Sequence, residues 1–235
     1  MTNETMVKLP VPHDPYVMTI DDNLDACMCD GIIEVFRLSD EAGHVRRGTT
    51  ADGVNESVKS SRDVNVADMQ FNGPTERIRT ACVSLVQKMR ERLFHALSVY
   101  FDHLNERGKT IAADAFWTHG VRDIMYNVQM YTSGTGFYRP HQDFMVYDVP
   151  RHQDGDDAER QRKARVLTYL WYLNDVEEGG ETAMFVDGVV KINDPCLIKP
   201  RKGRLLLFPA TWTYVHAGLM PIKGDKYICT GWLME

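Results

Sequence analysis

His141, Asp143 and His216 offer two imidazoles and one carboxylate, with the second histidine seventy-five positions after the first. Such a set can occupy one face of an iron(II) ion and leave its other positions open for chemistry. The spacing alone does not decide the matter, because His-x-Asp arises by chance in a chain with eight histidines. Lys226, ten residues beyond His216, adds an independent constraint. After the Gly224-Asp225 turn, Tyr227 to Leu233 are bulky and apolar on both faces and predict a buried strand. Alternation puts Lys226 on the face of Ile228, Thr230 and Trp232, where a core is expected. A buried ammonium group needs an anion. If the pocket also holds iron, a dicarboxylic keto acid meets both demands, its keto acid end chelating the metal and its far carboxylate reaching the lysine. 2-Oxoglutarate is such a molecule. A zinc hydrolase can also use two histidines and a carboxylate, but it leaves Lys226 unexplained. Arg201 and Arg204 are competing anion partners.

These residues must be positioned by strands. Asp123 to Tyr131 alternates, with Ile124, Tyr126, Val128 and Met130 on one face and Met125, Asn127, Gln129 and Tyr131 on the other. Thr132 to Gly136 turns the chain, and Phe137 to Tyr147 predicts a second strand whose period of two gives His141 and Asp143 the same face. Arg151 to Arg165 mixes both charges without an apolar period and predicts a mobile loop. Strands follow at Val166 to Leu173, Thr182 to Val186 and Leu205 to Phe208. Upstream, Asp21-Asp22-Asn23 can cap a helix that carries Leu24, Cys27, Ile32 and Phe36 and ends near Ser39. Gly43 to Asp68 predicts a long loop with one short strand, of the kind that borders active sites. Pro74 opens a longer helix in which Ile78, Cys82, Leu85, Met89, Leu93, Leu97 and Phe101 recur at steps of three and four. Many short strands imply a β-sandwich or jelly roll, and periodicity leaves the topology undecided.

His141-Gln142-Asp143, the run Arg165 to Thr182 with its Glu177-Glu178-Gly179-Gly180-Glu181-Thr182 turn, His216 and Lys226 together resemble the prolyl 4-hydroxylase branch of the iron(II)/2-oxoglutarate oxygenases. The likeness runs from about Tyr131 to Trp232. It implies an α+β fold, mainly a double-stranded β-helix (jelly roll) core braced by N-terminal helices. Residues 1–235 would then be a single catalytic domain, with 1–119 a mainly helical support and 120–235 the core. It also implies Tyr131 and Thr182 as hydrogen-bond partners of the 2-oxoglutarate carboxylate, Arg165 as a substrate contact, and ascorbate as a reductant. The chain departs from the family's Tyr-x-x-Gly-x-x-Tyr pattern by one extra residue between Tyr131 and Tyr138. Trp232 can wall the cosubstrate pocket, and Trp212 and Tyr214, close to His216, can receive a substrate ring.

Composition bounds the function. The formal charge of −6 and a pI near 5.8 argue against nucleic acid as the main partner. No apolar stretch is long enough to span a bilayer, and Met1 to Tyr16 lacks the pattern of a secretory signal, so no membrane association and a cytoplasmic location are expected. Cys27, Cys29, Cys82, Cys196 and Cys229 form no Cys-x-x-Cys pair and are expected as buried small residues. The Asn-x-Ser/Thr matches at Asn3 and Asn55 matter only in a secreted protein. The expected activity is hydroxylation of a peptidyl proline with dioxygen, iron(II) and 2-oxoglutarate, releasing succinate and carbon dioxide. The alternatives are the same chemistry on a free amino acid or other small molecule, and a jelly-roll binding or sensor protein without turnover.

Overall fold

The computed structural model describes residues 6–7, 14–107, 122–123, 125–150, 160–185 and 195–235. Among the described residues three helices lie in the N-terminal half, α1 (Ala26–Glu41), α2 (Val66–Asn72) and α3 (Glu76–Glu106). The cap of α1 is Asp25, whose carboxylate accepts from the Met28 N–H at 2.8 Å, and not Asp21 to Asn23. Those residues have other work. Asp21 is paired with Arg201 and Arg204, and Asn23 accepts from the Trp171 indole at 2.7 Å. The two arginines are therefore committed to Asp21, which removes them as competitors of Lys226. Helix α3 starts where Pro74 suggests, with Thr75 as its cap.

The strands form two main sheets. The larger runs β1 (Met6–Val7), β2 (Met18–Ile20), β14 (Leu205–Pro209), β10 (Arg160–Tyr172), β17 (Lys226–Met234), β7 (Asn127–Tyr131), β5 (Arg62–Asn65) and β3 (Arg46–Arg47), with β6 (Arg122–Asp123) beside β17 and β9 (Val146–Pro150) beside β10. The smaller runs β13 (Cys196–Ile198), β12 (Thr182–Met184), β15 (His216–Gly218), β8 (Phe137–His141) and β4 (Lys59–Ser60). A ribbon of β11 (Glu178–Gly179) and β16 (Pro221–Lys223) stands apart.

The helices cover one face of the large sheet. Ile32, Phe36, Met89, Leu93 and Leu97 pack in one buried cluster with Val128, Tyr169, Trp171, Leu207, Cys229 and Leu233. Burying each such side chain contributes about 1.5–3 kcal/mol. The opposite face looks across a cavity at the small sheet, and a second cluster, with Tyr131, Tyr172, Met184 and Phe208, joins the two sheets there.

Several expected elements differ. Arg160 to Arg165 belongs to β10 and not to a loop, with Arg160 to Ala164 paired residue by residue with β9 and Arg165 opposite Met234 of β17. Where this hairpin leaves the core Arg162 is exposed, so the pairing needs no apolar period. Residues 151–159 lie outside the described residues, as do Asn3, Ile124 and Val186. Gly43 to Asp68 holds β3, β4, β5 and the start of α2, because its short strands borrow partners from β7 and β8 rather than from each other alone. The N-terminal half thus supplies strands to both sheets besides its helices. Asp123 to Tyr131 divides into β6 and β7, and Phe137 to Tyr147 into β8 and β9. Cys27 is exposed on α1, unlike the other four cysteines.

Candidate active site

Asp143 does not share a strand with His141. Strand β8 ends at His141 in the small sheet, and residues 142–145 cross to β9 beside the large one. The crossing places the Asp143 carboxylate against β10, where Thr168 donates to Oδ2 at 2.8 Å. His216 sits on β15 directly opposite His141. The expected convergence therefore occurs, but by a sheet-to-sheet crossing instead of alternation within one strand.

Two β-bulges aim the side chains. Between His216 and Gly218 on β15, strand β8 spans His141 to Tyr138, one residue more than its partner. On the large sheet β10 carries one extra residue between Arg165 and Leu167. Each insertion resets the alternation, so residues three apart share a side. Tyr138 with His141, and Arg165 with Thr168, consequently face the same cavity.

The ligand atoms of His141, Asp143 and His216 all lie within 4.8 Å of one another. His141 Nδ1 lies 2.8 Å from the Arg139 carbonyl and His216 Nδ1 lies 3.1 Å from that of Tyr214. A carbonyl only accepts, so each Nδ1 carries the proton and each Nε2 keeps a lone pair. Both Nε2 atoms are turned to the Asp143 carboxylate, at 3.8 and 3.7 Å. Lone pairs facing a carboxylate repel it, and a cation between them removes the repulsion. Burial and the neighbouring His216 pull the His141 pKa down to about 3, which favours the neutral, ligating form. The donors fit a divalent transition metal. Among the described residues this is the one cluster of its kind.

The cavity is about 670 Å³ and is lined by both sheets. Lys226, Ile228, Thr230 and Trp232 of β17 all face it, as alternation requires. Lys226 is 1% exposed. Its ammonium donates to the Gly180 carbonyl at 3.0 Å and lies 4.6 Å from the centre of the Tyr131 ring. Consecutive left-handed conformations at Gly179 and Gly180 shape the turn that presents this carbonyl. Burial drags the Lys226 pKa down to about 7, against the smaller opposing pull of Glu181. No carboxylate among the described residues forms an ion pair with it, so the site has a cation awaiting an anion.

Tyr131 stands across from Lys226 on β7, the extra residue being absorbed in the turn at 132–136, and its hydroxyl donates to Gln129 at 2.6 Å. The Thr182 oxygen accepts from Tyr172 at 2.6 Å, which leaves the threonine's own proton for a ligand. The Arg165 guanidinium stacks 3.5 Å over the Trp232 ring, and both line the cavity. Trp212 is 71% exposed and lies off the cavity wall. Tyr214, also off the wall, is half-buried, touches Asp14 through its hydroxyl and serves His216 through its carbonyl. Thr168, Gln129, Tyr138, Tyr172 and the Lys59–Asp63 pair were not singled out by sequence. For Gln129 a signal existed, a polar residue on the strand face that also carries Tyr131, whereas Thr168 shares a side with Arg165 only through the bulge.

Residues 126–234 match the 2OG-Fe(II) oxygenase superfamily. A probable prolyl 4-hydroxylase 3 of Arabidopsis thaliana is 35% identical over 115 residues, 41% of this chain and 37% of that protein. Prolyl 4-hydroxylase 1 of the same plant is 23% identical over 241 residues, 96% of this chain and 71% of the relative. The chain spans about a third of the length of several of these curated relatives, 31% for the probable prolyl 4-hydroxylase 9. In fold it resembles a Pseudomonas putida prolyl-4-hydroxylase, with a TM-score of 0.60 at 18% identity over 94% of this chain and 93% of the other. A Trichoplax adhaerens prolyl hydroxylase, solved with a hypoxia inducible factor oxygen degradation domain peptide, gives 0.59 at 19% identity over 93% and 83%. The matched segment contains the three proposed metal ligands, Lys226 and both bulges, and over it the chain is similar to the 2OG-Fe(II) oxygenase superfamily and to the prolyl 4-hydroxylases named above.

Proposed function

We propose that this chain is an iron(II)- and 2-oxoglutarate-dependent hydroxylase of a peptidyl proline. The carrying observation is the buried Lys226, without an anionic partner among the described residues, in the cavity that also holds the His141, Asp143 and His216 cluster. Bound iron(II), with 2-oxoglutarate and dioxygen, supplies oxidative decarboxylation to succinate and carbon dioxide together with oxygen transfer to a C–H bond. The side chains bind, orient and exclude water. His141 and His216 present Nε2 lone pairs, and Thr168 orients Asp143. Lys226 and the free proton of Thr182 hold the far carboxylate, and Tyr131 joins them only by turning its hydroxyl away from Gln129, while Leu170 and Ile228 keep that end dry. Ascorbate would serve as the reductant known from the family.

Arg165 and Trp232 form a wall for the reacting residue, with Tyr214 and Trp212 further out as aromatic substrate contacts. An extended substrate is favoured by the reach of the cavity to residues 49–55 and to the exposed Phe144. Proline-rich chains arrive extended, which lowers the ordering cost of binding. The peptide in the Trichoplax neighbour supports the same reading. We read the two-sheet core as a double-stranded β-helix within a single catalytic domain, acting in the cytoplasm without a nucleic-acid partner; no described helix is long and apolar enough to cross a membrane.

The test is succinate release by the purified chain with iron(II), 2-oxoglutarate and oxygen. A proline-rich peptide is expected to stimulate it. Basal release without stimulation would move the substrate to small molecules, and none under any condition would make the chain a binding protein.

A further inference from the structure

The two histidines of the metal cluster are held differently. His216 has its ring edge against Phe208, a fully buried core residue, at 4.7 Å and 65°. His141 lies on the more open side and stacks on Tyr138, with ring centres 3.5 Å apart and planes 18° from parallel. Tyr138 is only half-buried, so the core alone does not fix it. Next to it on the cavity wall stands Lys59, its cross-strand neighbour on β4, with the ammonium 5.2 Å from the ring centre. Lys59 is 3% exposed, and its ammonium reaches Asp63 at 2.7 Å. Asp63 is on β5 of the other sheet and also accepts from Ser61 and Asn127.

We propose that Lys59 and Asp63 are positioning residues for the metal ligand His141, acting through Tyr138; the proposal rests on reading His141, Asp143 and His216 as a metal centre. The ion pair joins the two sheets where the chain passes from one to the other between β4 and β5. It holds Lys59 against the Tyr138 ring, and that ring fixes the tilt of an imidazole otherwise held at Nδ1 and by the tilted His216 ring, 4.2 Å away between centres. A buried ion pair adds little net stability compared with an apolar pair of the same shape, so fold stabilisation is a poor account of it. Outer partners that orient a ligand contribute about 10–100-fold to metal affinity.

The experiment is a titration of the metal-free full chain with cobalt(II), read as affinity and as visible absorption, alongside thermal melting. Lys59→Met is expected to weaken cobalt(II) about tenfold and to shift its absorption bands. Lys59→Arg should restore both. Tyr138→Phe should behave like the parent, and Tyr138→Leu like Lys59→Met. A folded Lys59→Met protein with the parental affinity and spectrum would overturn the proposal. If Lys59→Met fails to fold, Tyr138→Leu, which keeps the ion pair, decides on the same readouts. His141→Ala separates the two layers. Loss of cobalt(II) binding there shows that the titration reads this centre, whereas undiminished binding removes the metal reading and the proposal with it.

Discussion

Strands β7, β10 and β17 carry different chemistry on their two faces. Toward the helices they present Val128, Leu167, Tyr169, Trp171, Cys229 and Leu233, all buried in one apolar cluster. Toward the cavity the same strands present Gln129, Tyr131, Arg165, Thr168, Lys226, Thr230 and Trp232. On the first face the polar atoms are matched, as when the Trp171 indole donates to Asn23. On the second, among the described residues, Arg165 Nε and Trp232 Nε1 are buried without a hydrogen-bond partner, and Lys226 has a carbonyl but no anion. Buried unsatisfied groups cost free energy. One sheet thus spends on its cavity face part of the stability that its helix face provides, as binding sites commonly do.

The comparison can be broken from either side. Trp171→Ala should have the largest effect, about 3–5 kcal/mol of stability, because it empties a packed site and strands Asn23. Denaturant melts check this, and the cobalt(II) affinity of the folded fraction should not change. Lys226→Met should do the reverse. Loss of a charge-assisted contact raises the 2-oxoglutarate concentration for half-saturation about 10–100-fold, while metal affinity holds. Melting at about pH 6 should rise rather than fall, since a desolvated charge is removed. A drop in stability there would show that the cavity face is not under strain.

The pH dependence sharpens the same contrast. The unfolded chain keeps the Lys226 proton up to about 10.5, whereas the folded chain gives it up near 7. Between these values the unfolded state binds more protons, so this group makes stability rise with pH across that window. Cosubstrate binding has the opposite sign. The carboxylate needs the ammonium form, so 2-oxoglutarate should bind with proton uptake and weaken as pH climbs above about 7. Calorimetry in buffers of different ionisation enthalpy measures that uptake, and Lys226→Met should abolish it. The smallest effect is expected outside the cavity, where Trp212→Ala should change stability by less than about 0.5 kcal/mol. Any rise in the peptide KM of that variant would then report a direct substrate contact.

The legible parts of the sequence were those in which a local rule and the tertiary outcome coincide. Alternation along β17 and β7 assigned both faces, because these are central strands with each side committed. The 3.6-residue period assigned α3, because a long helix with one buried stripe has no competing reading. The hairpin at Arg160 to Arg165 was illegible, since a solvated ladder leaves no hydrophobic trace. So were β4 and β5, whose partners lie far off in sequence. Asp143 joins the cluster of His141 and His216, but not by the route that alternation predicts, because alternation cannot see a chain that changes sheets.

The bulge in β8 has a consequence for how the chain tolerates change in length. Side-chain direction in a strand depends on counting, and a shift of one residue exchanges its faces. Between Tyr138 and His141 the count includes one residue that β15 does not match. Removing that residue would alter no ligand and no hydrophobic side chain, yet it would turn either Tyr138 or His141 away from the other. Homologous segments can therefore drift in composition at Arg139 and Pro140, both exposed, while their number stays fixed. The turn at 132–136 has no such constraint, since it takes up an additional residue and still delivers Tyr131 to the side of Lys226.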